Sequence, residues 1–469
     1  MWHPSCSHGV RSMWMHLRWA SCPAVLEGKT LPQIQRRIAA LKRLQSSLQL
    51  PPLSEFEAFG RKYLLPLKAC EPDMGKVPVE RLKYLAGFLD GDGCVCLNKM
   101  RPGISVGQSA RSAEVLVLFR DAFGGGVYKG NQPKGLARPA LQWRIDAMGS
   151  SFRAAKSLLN YTVLKRAHLK LVANWPSERQ KCNLAAQALS DLNDLNSPDT
   201  ADQFVDLSWG WLAGFVDAEG WIGFRADRHE FTFTISQKRT PVLEKIRMFL
   251  KASGIESARV YRSGQDGYCL RVGNQGELMA LLKRLLQNGL LLKRNQAETA
   301  LTGGDLNHTE LRNRMAAGVG NQSRYSRLDS DGCQRAREIR LLHDKIRRST
   351  KVNLSQLKEQ LQVLREEHEF RNSIAVYSTL RSDTKLLISQ GARKHPKATS
   401  YGKTSVNEPD PEVSATCVNL LHAHATELKM HAFVCQNLYK LNIFHPKSCE
   451  CVLFLVLVCL SVRVFTLLK

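Results

Sequence analysis

The chain has 469 residues, 43% of them hydrophobic, with 67 Lys and Arg against 42 Asp and Glu for a net charge of +25. That length and apolar share leave room for two or three domains with real cores, which argues against a chain too polar to fold. The basic excess suits a polyanionic partner, because each neutralised phosphate releases condensed counterions. The 13 cysteines are scattered and odd in number, and no secretory signal is expected ahead of them, which argues against a disulfide framework and for a reducing, intracellular setting. Cys94 and Cys96 lack zinc-site spacing, as do Cys449 and Cys451.

In chain order, the first acidic residue is Glu27, after Arg11 and Arg18. That order is compatible with an organellar transit peptide for mitochondrion or plastid, although His, Trp and Met crowd the segment. Residues 1–76 read as a basic N-terminal extension, with a helix over Leu31–Leu48 that Pro51-Pro52 ends. Denser apolar runs then begin at Pro78, and an internal repeat emerges. Residues 82–93 read LKYLAGFLDGDG and residues 209–220 read WGWLAGFVDAEG. Each copy continues into a strand-like run ending in glutamine, a helical segment, two further alternating runs, and Leu164-Lys165-Arg166 or Leu292-Lys293-Arg294. The repeats span 77–175 and 206–304, joined by a polar linker at 176–205 with a turn at Ser197-Pro198-Asp199. A helical or disordered extension covers 305–450, with a short amphipathic helix over Val352–Phe370 marked by Leu354, Leu357, Leu361 and Leu364, and a polar stretch at 391–415. The apolar tail 451–469 contains Arg463 and only just reaches the roughly 20 residues that a membrane span needs, so no anchor is expected.

As a helix, the repeated motif puts Leu85, Phe88 and Leu89 on one stripe, and Leu212, Phe215 and Val216 on its counterpart. Gly87 and Gly91 are four apart, as are Gly214 and Ala218, a spacing that lets two helix backbones approach closely. The two motif helices should therefore cross at a pseudo-twofold axis, each ending at a glycine, Gly93 or Gly220, in the left-handed conformation. Asp92 and Glu219 are the penultimate residues, so the crossing brings two carboxylates together beside negative helix ends. Such a pair is costly unless a cation sits between them, and hard oxygen ligands suit Mg²⁺ (or Mn²⁺). Near a phosphate-binding surface, that arrangement points to metal-assisted phosphodiester hydrolysis.

The motif pair resembles that of the LAGLIDADG homing endonucleases, of the single-chain type with two motifs. The likeness covers about residues 77–304. It implies an α+β protein in which two pseudo-symmetric αββαββα repeats form a DNA-binding saddle, flanked by helical or disordered N- and C-terminal extensions. It also implies a monomer that cuts both strands of a duplex. The resemblance places Asp92 and Glu219 at the metal-binding acid positions, with the Gly91 and Ala218 carbonyls as further ligands. Gln108 and Gln237 match the glutamine that orients water, and Lys165 and Lys293 match the basic residue near the scissile phosphate, where a cation offsets transition-state charge.

Alternation along the strands sorts their faces. Phe231, Phe233 and Ile235 face inward, leaving Thr232, Thr234, Ser236 and Lys238 toward DNA. Leu141, Trp143 and Ile145 go inward in the first copy, leaving Gln142 and Arg144 outward. Arg225, Arg262 and Arg271 are further candidates for duplex contact, since a β-ribbon fits the major groove. The strand before Gln108 reads as short and weak, with Gly107 where the second copy has Ser236. The alternative function on the same fold is an RNA-binding intron maturase; retention of both acids favours cleavage.

Overall fold

The computed structural model describes residues 28–70, 77–98, 101–131, 134–194, 205–225, 230–265, 267–318, 321–348 and 354–394. The segment with Arg11 and Arg18, the Ser197-Pro198-Asp199 turn, most of 391–415 and the tail 451–469 lie outside those residues.

The fold is α+β, and each repeat is built around its motif helix. In the first, α2 (Val79–Asp92) runs into β5 (Gly93–Asn98) and β6 (Arg101–Ser109), followed by α3 (Glu114–Phe123), β7 (Gly125–Lys129), β8 (Ala140–Ile145) and α4 (Met148–Leu159). In the second, α7 (Trp209–Glu219) runs into β9 (Gly220–Arg225) and β10 (Glu230–Gln237), followed by α8 (Pro241–Ala252), β11 (Ala258–Ser263), β12 (Gly267–Val272) and α9 (Gln275–Gln287). Short helices α5 (Arg166–Ala173) and α10 (Arg294–Thr302) follow the matched Leu-Lys-Arg segments. The second sheet has the order β11-β12-β10-β9 and is antiparallel throughout. The first has β8 and β6 in the equivalent centre, β5 on the motif edge and, beyond β7, a fifth strand β4 (Leu67–Cys70). A strand from before residue 77 is thus built into the first repeat's sheet.

A continuous apolar core covers the helix-facing side of both sheets and includes the crossing motif helices. Leu85, Phe88, Leu212, Phe215, Trp143 and Phe233 are all fully buried. The strand alternation is as expected, with Leu141, Trp143 and Ile145 inward and Arg144 exposed.

Four sequence expectations need correction. The polar stretch after residue 176 is not irregular. It forms α6 (Arg179–Asp194), which buries Ala185, Ala186 and Leu189 against the first repeat, an apolar stripe too sparse to stand out among polar residues. β6 spans nine residues and is no weaker than β10. Its Gly107 is tolerated because backbone pairing with Gln142 on β8 supplies the ladder. Gly93 and Gly220 adopt extended φ of −81° and −78°, not the left-handed conformation. The chain passes straight from helix to strand there, and glycine is needed because a Cβ would crowd the Leu89 or Val216 carbonyl. Finally, the expected short helix after residue 352 is the 36-residue α13 (Leu354–Ser389).

That long helix pairs with the N-terminal α1 (Leu31–Ser47) through Ile34, Leu41, Tyr377 and Leu380. A two-residue ladder between β1 (Leu48–Gln49) and β13 (Arg393–Lys394) extends the junction. The ion pair of Arg324 with Asp383, bonded at 2.6 and 2.8 Å, locks the 3-10 turn at Asn321–Ser326 onto the same helix. Between the second repeat and this body lies α11 (His308–Gly318), whose Leu311 and Met315 join the main core; α12 (Ser330–Arg348) packs on α13. Among the described residues, no helix is long and apolar enough to cross a membrane.

Candidate active site

The site begins with two helices that touch backbone to backbone. A Cβ at Gly87 would overlap the Trp211 carbonyl, and a Cβ at Gly214 would overlap the Tyr84 carbonyl, so the contact repeats about the pseudo-twofold axis. One turn on, a Cβ at Gly91 would overlap that of Ala218. Glycine at these places is a packing requirement, because any side chain forces the helices apart and with them whatever they carry.

The first aspartate of each motif is buried beneath the crossing. Asp90 accepts hydrogen bonds from the Val163, Leu164 and Lys165 amides at 2.7, 3.1 and 2.8 Å, and from Trp211 Nε1 at 2.9 Å. Asp217 repeats the set with Leu291, Leu292 and Lys293 amides at 2.6, 3.0 and 2.8 Å, and with Tyr84 Oη at 2.8 Å. Each thereby caps the start of α5 or α10 and ties it to its own motif helix, while the aromatic donor comes from the other repeat. Burial pushes both carboxyls above their ordinary range, against the pull of Lys165 on Asp90 and of Lys293 on Asp217. The sequence reading passed over these two residues, although their identity in both copies was the available signal.

The lysines also serve the helix ends. Lys165 Nζ donates to the Asp90 carbonyl at 2.6 Å and to that of Gly91 at 3.5 Å. Lys293 Nζ donates to the Val216 carbonyl at 2.8 Å and to that of Asp217. A cation on the last carbonyls offsets the negative end of the helix dipole. Burial pulls both ammonium groups below their usual range, and the surrounding carboxylates, Asp92 and Glu219 among them, push back.

Above those carbonyls stand Asp92 and Glu219. Asp92 is reachable from the groove and receives Gln108 Nε2 at 3.2 Å. Its carboxyl is pushed up to about 6, first by loss of water around it and then by Glu219, while Lys293, Lys165 and Gln108 oppose the rise. Glu219, Lys293 and Lys165 are thus all close enough to Asp92 to act on its charge. Gln237 occupies the matching end of β10, opposite Tyr268. Asp92, Gln108, Ala218 and Lys293 line one open cavity of about 670 Å³, together with Ser109, Trp221, Arg138, Gln296 and Gly318.

No family model matches the chain, and no curated protein matches it. Solved structures do. I-SmaMI bound to uncleaved DNA target in the presence of calcium ions is 14% identical, over 53% of this chain and 99% of that one, with a TM-score of 0.40. The LAGLIDADG meganuclease I-AabMI bound to uncleaved DNA is 18% identical over 52% and 97%, at 0.36. The LAGLIDADG homing endonuclease I-GzeII in complex with DNA target is 13% identical over 50% and 96%, at 0.37. Each of these matches spans about half of this chain and nearly all of the other.

On the open faces of the two sheets, cross-strand register sorts the remaining candidates. Thr234 lies opposite Arg271 on one side and Trp221 on the other, and Arg271 in turn faces Arg259, so these share the polar face. Thr232, Ser236, Lys238 and Arg225 follow the same parity, with Ser236, Lys238 and Arg225 exposed. Arg262 does not: it pairs with Tyr268 on the parity of Val260 and Leu270, the helix-facing side, and donates to the Gln265 carbonyl at 3.1 Å. In the first repeat Gln142 and Arg144 share a face with Tyr128, over whose ring the Arg144 guanidinium sits at 4.5 Å. Arg259 and Trp221 were missed because each sits in a strand whose pairing, and hence outward face, only the register fixes.

Proposed function

We propose that this chain is a site-specific double-strand DNA endonuclease that hydrolyses phosphodiester bonds with a divalent metal, Mg²⁺ or Mn²⁺, held by Asp92 and Glu219. The observation that carries the reading is the acid pair at the helix crossing, with the Asp92 carboxyl raised first by burial and then by Glu219. A hard cation removes that repulsion. The donor set fits one: two carboxylates, with the Gly91 and Ala218 carbonyls at hand, are all oxygen. When bound, the metal supplies Lewis acidity at the phosphate and lowers the pKa of water.

The chain's own residues do the rest. Gln108 fixes the rotamer of Asp92 and presents its remaining amide capacity to a water in the groove. Gln237 has the equivalent role in the second repeat. Lys165 and Lys293 hold positive charge near the acids, which favours the ionised form of Asp92 and offsets charge that builds on a phosphate above. Arg144, Arg225, Arg271, Gln142, Thr232, Thr234, Ser236 and Lys238 offer the donors and acceptors that read base edges and hold backbone phosphates. Two acids, one per repeat, suit one cut per strand.

The test uses the full chain, Mg²⁺ and supercoiled plasmid bearing the DNA that flanks its gene. Nicked and linear products should form with the wild type and vanish with Asp92→Asn/Glu219→Gln. Intact plasmid with the wild type, or equal cutting by the variant, would contradict the proposal.

A further inference from the structure

The polar faces of the two sheets do not carry the same charge. Aligning Gly220 with Gly93 matches the strands of the two repeats, and the registers then place two rows of polar-face residues in correspondence. In the second repeat the row runs Arg259, Arg271, Thr234, Trp221, from the outer strand β11 to the motif edge β9. In the first repeat the same places hold Gly126, Arg144, Ser105 and Cys94. Each row crosses three strand spacings, about 14 Å. Trp221, at the inner end of the second row, lines the cavity that contains Asp92.

Arg144 and Arg271 are therefore counterparts, but their surroundings differ. Arg144 Nε lies 3.3 Å from Asp146 Oδ2, and its guanidinium covers the Tyr128 ring. Gly273 stands two residues after Arg271, in the place of that aspartate. Arg271 instead faces a second guanidinium, Arg259, directly across the ladder, and both are exposed. Among the described residues neither makes a hydrogen bond or an ion pair. Like charges directly opposite one another on a sheet are unfavourable, so the pair costs the free protein stability that a bound anion restores. Each guanidinium is a planar fork of donors that matches phosphate oxygens two at a time.

We propose that the two repeats hold a duplex unequally. Arg259 and Arg271 grip the phosphate backbone of the half-site under the second repeat, and Arg144, already neutralised, adds less under the first. Asp146 weakens the first half because it competes with phosphate for Arg144. The proposal rests on the nuclease reading and deepens it, assigning the side on which the substrate is anchored.

The experiment measures binding of the full chain to a fluorescent mixed-sequence duplex in EDTA across a salt series. Arg271→Gln should weaken binding about five-fold near physiological salt and make the slope of log affinity against log salt shallower by about one. Arg259→Gln should do the same. Arg144→Gln should cost no more than about two-fold and change the slope by less than about half a unit. Asp146→Asn, which frees Arg144, should tighten binding about three-fold, a gain that no folding defect produces. Equal losses from Arg271→Gln and Arg144→Gln, weaker binding by Asp146→Asn, or losses confined to structured RNA overturn the proposal. The plasmid-cutting assay keeps the two readings apart. A wild type that cuts while Arg271→Gln and Arg144→Gln bind alike sinks the unequal grip and leaves the nuclease standing. A wild type that shows the unequal losses and never cuts sinks the nuclease reading alone.

Discussion

Tyr84 of the first motif helix donates its hydroxyl to Asp217 of the second at 2.8 Å, beneath the surface where the two repeats cross. Trp211 returns the contact to Asp90. The same buried carboxylates accept the amides that open α5 and α10, so one residue per repeat fixes both the crossing and the loop that carries the lysine. Asp90→Ala leaves four donors without their acceptor and should cost about 3–5 kcal/mol in urea unfolding, whereas Tyr84→Phe, losing one bond, should cost about 1 kcal/mol. A neutral result for Asp90→Ala would mean that the network is incidental.

Gly87→Ala and Gly214→Ala force a methyl group onto a facing carbonyl. Each should destabilise the fold by about 3 kcal/mol and reduce DNA cutting more than a stability loss explains, because the acids move apart. Gly107→Ala is the comparison, since no atom lies within 4 Å of its Cβ position. It should stay within about 0.5 kcal/mol of wild type by thermal melt.

Protonation of Asp92 gives a signed pH dependence. Its folded-state value, about 6, lies above the roughly 3.9 of an unfolded aspartate. The group's favourable contribution is thus fully present below the unfolded value and is lost as pH rises through about 6. In EDTA, the Tm difference between Asp92→Asn and wild type should therefore move in favour of the variant by a few degrees, about 2–4 °C, between pH 4 and 8. Mg²⁺ should remove that difference at pH 8 and leave it unchanged at pH 4 (differential scanning fluorimetry reads both). A pH-independent difference would contradict the electrostatic account of the pair.

The body formed by the two ends of the chain depends on Asp383, whose side chain is 5% exposed while its partner Arg324 is 39% exposed. Asp383→Ala removes the acceptor for Arg324 and Tyr325, and should cost about 1–3 kcal/mol. Limited proteolysis should then release α1 sooner than in wild type, since Gln45 is held by Tyr325 at 2.7 Å.

Much of this was legible because the repeat doubles every signal. Gly87 with Gly214 and Asp92 with Glu219 declare a crossing that delivers two acids, and local alternation finds the inward faces of β8 and β10. What stayed hidden depends on contacts distant in sequence. Asp90 and Asp217 read as ordinary motif residues until the amides of residues 163–165 and 291–293 come to meet them. Arg262 was a candidate for duplex contact whose face no local pattern assigned, and only the register with Tyr268 fixes its side. The pairing of α1 with α13 joins segments more than 300 residues apart, for which periodicity carries no information.

The most direct measurement is Mn²⁺ binding, followed by electron paramagnetic resonance on the full chain mixed with duplex DNA. The wild type should take up Mn²⁺ that Asp92→Asn/Glu219→Gln does not. Equal uptake by the wild type and the acid variant would show that the carboxylates at the helix crossing hold no metal.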